Sequence, residues 1–204
     1  CARRYYFHYY GAWGGWEREV DPRTRRLYIL KHLKTRQLWA GGKVHDAIEH
    51  LLVETRDGLA IPSEDEVVQR ALVSMREDFR ASRKKEYETR QKHRTGLFEH
   101  AYDNKVPDEV WKQTADHVGK CLATFYRSET FAMIRDLPRD RWLEVEELSL
   151  FRVEGIKVYA RLDFSCREGD GVRIFDWKTG RSENVDHTVQ MACYALYAMH
   201  AWGV

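Results

Sequence analysis

Long apolar stretches and paired cysteines are both missing from this 204-residue sequence. No segment approaches the roughly 20 consecutive apolar residues of a membrane-spanning helix, and the first residues do not form a signal peptide. We therefore expect no membrane partner. The cysteines stand singly, without C-x-x-C spacing, and predict neither a zinc site nor a disulfide framework. Unpaired thiols are typical of the reducing cytoplasm, where we expect the protein to act. The cysteines are Cys1, Cys121, Cys166 and Cys193.

A strong excess of charge of either sign is also absent, since 34 Lys and Arg residues face 32 Asp and Glu residues, for a net charge of +2. This balance excludes a uniformly basic nucleic-acid surface. The basic residues are instead clustered, above all between Arg80 and Arg94. This run is either a solvated helix face or a surface that follows phosphates. Its Lys84 and Lys85, together with Arg4, are candidate nucleic-acid contacts.

The length and the mixed composition predict one globular domain, or one domain that carries a large insertion. The chain begins at Cys1 without a methionine and stops at Val204 inside a helical pattern. We therefore expect residues 1–204 to be a fragment of a longer protein.

Helices are predicted along the first two thirds of the chain. Aromatic residues crowd the first ten positions, where we expect them to pack a helix onto the core, with base stacking as the alternative. Apolar spacing from Leu38 to Val53 predicts a helix that begins at the Gly41-Gly42 pair. The aromatic residues are Tyr5, Tyr6, Phe7, Tyr9 and Tyr10.

The middle of the chain is interpreted as a helical insertion at about residues 61–137. Ser63 and Glu66 form a capping-box pattern before a long helix. Apolar residues from Val110 to Phe125 indicate another helix.

Strand patterns begin at Trp142. Three short apolar segments are separated by Glu154-Gly155 and by a turn at residues 168–171, which predicts an antiparallel meander within a mixed β-sheet. The segments are Leu143–Phe151, Ile156–Phe164 and Val172–Trp177. A final helix is predicted from Val185 to Trp202. Its predicted buried stripe is Val189, Ala192, Cys193 and Leu196.

Acidic residues end two of these predicted strands. Asp163 ends the second, and Asp176 and Lys178 lie on one face at the end of the third. Two carboxylates held close repel each other unless a cation lies between them, and hard oxygen ligands favour Mg²⁺ or Mn²⁺. Such a cation polarises a phosphoryl oxygen, while the Lys178 ammonium stabilises a charged transition state. The alternative is a surface ion pair between Asp176 and Lys178.

An Asp-x-Lys triplet alone is a weak signal, because one is expected by chance in a chain of this length. Asp103-Asn104-Lys105 has the same spacing but lies in a polar, turn-forming stretch. Asp176-Trp177-Lys178 instead closes an apolar strand and precedes Thr179-Gly180 and a helix. The context therefore distinguishes the second triplet.

Four elements resemble the RecB-like branch of the PD-(D/E)XK nuclease superfamily, and they occur in the family's order. Tyr159-Ala-Arg-Leu-Asp163 followed by Ile174-Phe-Asp176-Trp-Lys178-Thr-Gly180 resembles its catalytic hairpin. Gln190-Met-Ala-Cys-Tyr194 is similar to its Q-x-x-x-Y helix motif. Gly41-Gly-Lys-Val-His45 resembles the helix that supplies an additional histidine ligand, and Cys1-Ala-Arg-Arg4-Tyr-Tyr resembles the element that opens such domains.

The resemblance implies an α/β, restriction-endonuclease-like core with a central mixed β-sheet flanked by helices, plus the helical insertion. Lys178 would serve the attacking water, and Gln190 and Tyr194 would position Lys178 or the scissile strand. The implied metal ligands are His45, Asp163 and Asp176. The implied catalytic residues are Asp163, Asp176, Lys178, Gln190 and Tyr194, of which Tyr194 also contacts nucleic acid.

Some assignments leave alternatives open. His45 by itself would be read as a packed or surface histidine. Gln190 and Tyr194 would be read as the polar shoulder of a core helix. Glu146, on the strand before the hairpin, is a further candidate, but Glu144 and Glu147 lie beside it and strand alternation does not choose securely among the three.

The resemblance also bears on cofactors. Some RecB-like relatives hold an iron–sulfur cluster on one early cysteine and three late ones. Cys1 matches the early ligand, but the other cysteines lack the late grouped spacing. A cluster is therefore expected only if further cysteines lie beyond Val204, and Mg²⁺ or Mn²⁺ is the expected cofactor.

The resulting hypothesis is a metal-dependent DNA nuclease that acts in recombination, repair or phage-related DNA processing. Exonuclease action is expected, with endonuclease action left open, and a helicase domain or subunit is a candidate partner. Two alternatives also stay open, namely a catalytically inactive DNA-binding module and an RNA-directed nuclease. The joint presence of Asp163, Asp176 and Lys178 argues against the inactive module.

Overall fold

Helices make up most of the chain before Trp142. The computed structural model describes residues 1–90, 93–180 and 187–204. A π-helix, Phe7–Gly11, follows the first helix, and short 3-10 helices cover Glu86–Glu88 and Arg139–Arg141. Within these described ranges, no helix has the length and apolar character needed to cross a membrane. The α-helices are α1 Ala2–Tyr6, α2 Pro22–His32, α3 Arg36–Arg56, α4 Glu64–Arg83, α5 Phe98–Ala101, α6 Asp108–Tyr126, α7 Glu129–Asp136 and α8 Thr188–Trp202.

In the part of the chain that the structure describes, two small antiparallel sheets lie between α7 and α8. One sheet has the strand order β1-β4-β5, and the other pairs β2 with β3. The predicted α/β class is confirmed, but the named strands pair antiparallel where the sequence predicts one mixed sheet. The first predicted strand is broken into β1 and β2, which pair in different sheets, so two sheets form in place of one. The strands are β1 Trp142–Val145, β2 Leu148–Val153, β3 Ile156–Arg161, β4 Phe164–Glu168 and β5 Gly171–Phe175.

Both predicted hairpin turns are confirmed. Glu154 and Gly155 join β2 to β3 with φ angles of 49° and 84°, and positive φ at both central residues is what a type I′ turn requires. Gly169, with φ of 57°, lies in the turn between β4 and β5. The second hairpin pairs Phe164 with Phe175, so it brings the residues just outside that pair, Asp163 and Asp176, to the same end of the sheet.

The chain divides into two compact units. Unit 1 consists of Cys1–Lys43 and Gln69–Lys120, and unit 2 of Val44–Val68 and Cys121–Val204. All five strands and α8 belong to unit 2. The predicted insertion contributes its central part to unit 1 and its ends to unit 2, and the description of the chain as one domain with one insertion stays a prediction.

The predicted capping box is confirmed at the start of α4. The Ser63 backbone N–H donates to the Glu66 carboxylate at 2.7 Å, and the Glu66 backbone N–H donates to Ser63 Oγ at 3.3 Å. Two backbone donors at the helix start are thereby satisfied by side chains.

The predicted start of α3 is wrong, because the helix begins at Arg36 and contains the Gly41-Gly42 pair. Thr35 Oγ1 accepts the backbone N–H of Leu38 at 3.3 Å, and Glu99 accepts that of Arg36 at 2.9 Å. These caps, with the packing of the helix, offset the roughly 1 kcal/mol that each glycine costs inside a helix.

The expectation that the N-terminal aromatic residues pack onto a core is also wrong. Tyr5, Tyr6, Tyr9 and Tyr10 are between 56% and 64% exposed. Their rings contact one another, as in the pair Tyr5 and Tyr9 with centroids 4.7 Å apart. A tyrosine tolerates this arrangement because its hydroxyl stays in water while the rings cover part of each other.

The predicted buried stripe of α8 is wrong as well. Val189 is 74% exposed and Leu196 is 44% exposed, whereas Tyr194 and Tyr197 are buried. The two tyrosines belong to a core cluster with residues of β2, β3 and the segment after β3, and their hydroxyls find acidic partners. Hydropathy ranks Val and Leu above Tyr and so misses this face. The predicted first residue of this helix, Val185, lies outside the described residues.

Candidate metal-binding and catalytic site

Two buried carboxylates lie where the chain passes from one sheet to the other. Glu146 lies between β1 and β2, and Asp163 lies between β3 and β4. The Glu146 backbone N–H donates to the carbonyl oxygens of Leu162 at 3.0 Å and Asp163 at 3.2 Å. These hydrogen bonds hold the connection between β1 and β2 against the connection between β3 and β4. Glu146 adopts φ of 51°, a conformation that is uncommon for a residue with a Cβ and that recurs at functional sites.

His45 completes a cluster with these carboxylates. Its Nδ1 lies 3.1 Å from Glu146 Oε1 and 3.4 Å from Asp163 Oδ1. One ligand atom from each of the three side chains lies within 4.8 Å of the others. Glu146 and Asp163 are buried, whereas the His45 side chain is 31% exposed, so the cluster is reached from the imidazole side.

This donor set fits a divalent cation. One imidazole nitrogen and two carboxylates are ligands that divalent metals accept, and a buried pair of carboxylates is costly without positive charge beside it. Two side chains supply such charge here. The hydrogen bond to Asp163, followed by that to Glu146, raises the pKa of His45 to about 10. Arg161 Nε lies 2.9 Å from Glu146 Oε2.

A second network surrounds Asp176, immediately after β5. Asp176 Oδ1 accepts from Gln190 Nε2 at 2.9 Å and from the Tyr194 hydroxyl at 3.1 Å, and Oδ2 lies 2.5 Å from Lys178 Nζ. Lys178 Nζ also donates to Gln190 Oε1 at 3.2 Å. Gln190 and Tyr194 are one turn apart on α8 and therefore face the same way. Gln190 therefore contacts both charged residues of the Asp-x-Lys triplet.

Tyr194 is a hydrogen-bond donor in this network. Burial is the main cause that raises its pKa to about 12, and the negative charge of Asp176 adds to the shift. The hydroxyl is therefore protonated at neutral pH and donates, while its oxygen accepts from Gln190 Nε2 at 2.7 Å. A phenol in this state holds Asp176 in place and does not act as a base.

Asp163 connects the two networks. One of its carboxylate oxygens faces His45, and the other accepts the backbone N–H of Trp177, the residue between Asp176 and Lys178. The structure thus brings two of the predicted ligands, His45 and Asp163, into one cluster. The third, Asp176, is linked to that cluster through Trp177 and has Lys178, Gln190 and Tyr194 as its direct partners.

The structure distinguishes the three glutamates that strand alternation could not separate. Glu146 joins His45 and Asp163. Glu144 instead accepts from the Tyr197 hydroxyl and from Ser149 Oγ at 3.2 Å. Glu147 is exposed, with its carboxylate 3.9 Å from the Arg56 guanidinium. Adjacent glutamates inside an apolar segment were the available signal, because two successive charges disfavour an unbroken, half-buried strand.

Three of the predicted nucleic-acid contacts lie in unit 1, whereas the fourth, Tyr194, lies in unit 2 with the residues above. Arg4 is exposed on α1, and Lys84 and Lys85 are exposed just after the end of α4. Lys85 adopts φ of 55°, which ends the helical path. Their contact with nucleic acid stays a prediction.

Comparison with known proteins gives a match at the level of the family. A family profile described as the PD-(D/E)XK nuclease superfamily matches residues 1–204. No curated protein and no solved structure is detectably similar to the chain. The α/β architecture agrees with a restriction-endonuclease-like fold. Because the profile matches the full sequence, the chain belongs to the PD-(D/E)XK nuclease superfamily, a group of metal-dependent phosphodiester hydrolases.

Proposed function

We propose that this chain is a Mg²⁺- or Mn²⁺-dependent deoxyribonuclease of the RecB-like branch, with exonuclease action. The observation that carries the proposal is the cluster of His45, Glu146 and Asp163, whose ligand atoms lie within 4.8 Å of one another. The network of Asp176 and Lys178 adjoins it through Trp177.

His45, Glu146 and Asp163 would hold the divalent ion, and Asp176 is the further candidate ligand. When bound, such an ion polarises a phosphoryl oxygen and lowers the pKa of a coordinated water. The protein keeps its ligands oriented through neighbours, since Trp177 donates its backbone N–H to Asp163 and Arg161 holds Glu146. Such outer partners fix the rotamers of metal ligands.

Lys178 would act on the reacting phosphate. Its ammonium is a preformed positive charge beside Asp176, and such a group stabilises negative charge that develops on phosphoryl oxygens. Gln190 limits the motion of this flexible side chain by accepting from its Nζ. Tyr194 in turn holds Gln190 and Asp176, so we assign Gln190 and Tyr194 as positioning residues.

DNA is the proposed substrate, in recombination, repair or phage-related DNA processing. The resemblance of the catalytic hairpin and of the Q-x-x-x-Y helix to RecB-like enzymes supports this choice. The exposed basic residues Arg4, Lys84 and Lys85 are proposed DNA contacts, and a helicase domain or subunit is the proposed partner. We propose the cytoplasm as the site of action.

A cleavage assay with three labelled substrates tests the proposal. Single-stranded DNA, duplex DNA and RNA are incubated with the protein in Mg²⁺, in Mn²⁺ and in EDTA. We expect DNA cleavage that requires the ion and that is abolished by Asp163→Asn, which removes charge from the cluster with little change in shape. Glu147→Gln is the matched control, because it removes an exposed carboxylate next to Glu146 and should leave cleavage unchanged.

Each alternative has its own outcome. Cleavage of RNA without cleavage of DNA would identify an RNA-directed nuclease. Binding of DNA without cleavage in either ion would identify an inactive binding module. Cleavage that persists in Asp163→Asn would remove the metal cluster from the mechanism.

A further inference from the structure

Unit 1 contains a groove of about 810 Å³ that the proposed chemistry does not use. Its lining comes mainly from α4 and α6, together with Trp39 of α3. Trp111 and Phe79 line it in an edge-to-face contact, with ring centroids 5.1 Å apart and ring planes at 76°, and both are half-buried. The buried Trp39 also lines the groove, with its ring centroid 6.3 Å from that of Trp111. A groove of this volume is within the range that encloses a ligand of drug size, so a nucleobase fits.

Hydrogen bonds and an ion pair hold Trp39 in place beside the groove. Trp39 Nε1 donates to Asp78 Oδ2 at 3.0 Å, and Lys43 Nζ lies 2.9 Å from the same oxygen and donates to Ser74 Oγ at 2.8 Å. These bonds connect α3 to α4 within unit 1. The bonds therefore fix Trp39, whose ring contacts that of Trp111, and this aromatic platform has less side-chain entropy to lose when a flat ligand stacks on it.

Positive charge lines the groove. Five basic side chains and one acidic side chain, Asp116, contribute to its wall. Among the ion pairs between described residues, none involves the exposed side chains of Arg76, Arg80 or Lys84. The basic side chains are Arg76, Arg80, Arg83, Lys84 and Lys112.

The basic residues of α4 and of the turn just after it are spaced to follow a strand. Arg76, Arg80 and Lys84 recur every fourth residue and share a face, and the backbone N–H of Lys84 still bonds to the Arg80 carbonyl. At 1.5 Å per residue they span about 12 Å, roughly the length of two to four nucleotides of one strand. Arg83 lies with its guanidinium 5.9 Å from the centre of the Phe79 ring.

We infer that this groove binds single-stranded nucleic acid, with a base stacked on Trp111, the Phe79 ring at its edge, and phosphates held by Arg76, Arg80 and Lys84. An aromatic platform beside a basic stripe is the general arrangement by which proteins bind single strands without sequence preference. Duplex DNA keeps its bases stacked on each other, so it would use the stripe but not the platform. The inference rests on the proposed function, which makes nucleic acid the ligand. It adds a second site, apart from the residues proposed for cleavage, that selects single strands over duplex.

Binding measured without cleavage tests the inference. Fluorescence anisotropy in EDTA is recorded for oligothymidine, oligouridine and a mixed-sequence duplex over a series of salt concentrations. Trp111→Ala should weaken oligothymidine binding about 5- to 100-fold, as expected for loss of one stacked base, and leave the salt dependence unchanged. The triple variant Arg76→Gln, Arg80→Gln, Lys84→Gln should reduce the slope of log K against log salt by about 2.

Matched variants distinguish a loss of binding from a loss of folding. Lys105→Gln removes an exposed charge of unit 1 that does not line the groove, and should change neither affinity nor slope. Trp111→Phe retains a ring and should bind within a few-fold of the unmodified protein even if Trp111→Ala is unstable. The oligouridine arm shows whether the groove distinguishes RNA from DNA.

Three results would overturn the inference. The first is unchanged affinity in both Trp111 variants, the second an unchanged salt slope in the triple variant, and the third a preference for duplex that is insensitive to Trp111. The proposed function fails separately. A protein that binds through the groove but never cleaves contradicts only the nuclease, and one that cleaves while its groove variants bind normally contradicts only this inference.

Discussion

The chain contains two Asp-x-Lys triplets, which differ in secondary structure, in burial and in their hydrogen-bonding partners. Asp103-Asn104-Lys105 follows α5 in an exposed turn of unit 1, where Asp103 has φ of 51°. Asp176-Trp177-Lys178 follows β5 in unit 2, where the Asp176 side chain is only 12% exposed and has three hydrogen-bonding or charged partners. The same spacing thus gives a solvated turn in one place and a fixed charge network in the other.

The difference comes from what surrounds each triplet. The β4–β5 hairpin places Asp176 next to Asp163, and α8 supplies Gln190 and Tyr194. A lysine and an aspartate in water gain little from each other, whereas partly buried charges that share neutral hydrogen-bond partners are held in one geometry. The two triplets share their spacing, and only the neighbours of the second hold it in one geometry.

The largest expected effect on cleavage distinguishes the lysines of the two triplets. Lys178→Ala should lower kcat/KM for DNA cleavage by about 10²- to 10³-fold, because it removes a preformed positive charge at the reacting phosphate. Lys105→Ala removes the corresponding residue of the exposed triplet and should leave kcat/KM unchanged. Steady-state kinetics in Mg²⁺ compares the two, and equal effects would show that the triplets do not differ in function.

The next effect concerns adjacent glutamates at the sheet crossing. Glu146→Gln should weaken Mn²⁺ binding by about 10- to 100-fold, since it removes one charged ligand from the cluster. Glu147→Gln, one residue away, should have no effect on affinity. Calorimetric titration of the ion measures both, and retained affinity in Glu146→Gln would remove Glu146 from the site.

A smaller effect is expected on α8. Gln190→Ala should reduce kcat about 10-fold with little change in KM, because Gln190 holds Lys178 and Asp176 rather than the substrate. Val189→Ala changes the exposed neighbouring residue and serves as the control. A change in KM alone would indicate that Gln190 contacts the substrate directly, and unchanged kinetics would deny it any role in positioning.

The smallest effect lies outside both triplets. Ser63→Ala should lower the free energy of unfolding by about 1 kcal/mol through loss of the capping box at the start of α4, whereas Ser63→Thr should keep most of it. Urea unfolding monitored by circular dichroism measures the change. Cleavage should be unaffected at temperatures where the variant stays folded, and a cleavage defect there would contradict the separation of helix capping from catalysis.

Local features of the fold could be predicted from the sequence because few residues decide them. The Glu154-Gly155 turn and the Ser63–Glu66 capping box need only their own side chains and backbone angles. The Gln190–Tyr194 motif of α8 follows from its resemblance to the Q-x-x-x-Y motif of RecB-like enzymes, and its two residues are one helical turn apart. Such features are set within a few residues, and distant packing changes them little.

Features that depend on distant packing were missed. The choice of Glu146 over its neighbours depends on the break between β1 and β2 and on contacts with Leu162 and Asp163. The buried face of α8 depends on acidic partners for Tyr194 and Tyr197, which apolar periodicity does not detect. Helical periodicity also gave no indication of the groove in unit 1, because its aromatic residues come from separate helices.

The most direct measurement locates the ion. Crystals grown with Mn²⁺ and recorded at the manganese absorption edge should show an anomalous difference peak in contact with His45, Glu146 and Asp163. A peak elsewhere, with these three side chains still hydrogen-bonded to one another, would contradict the assignment of this cluster as the metal site.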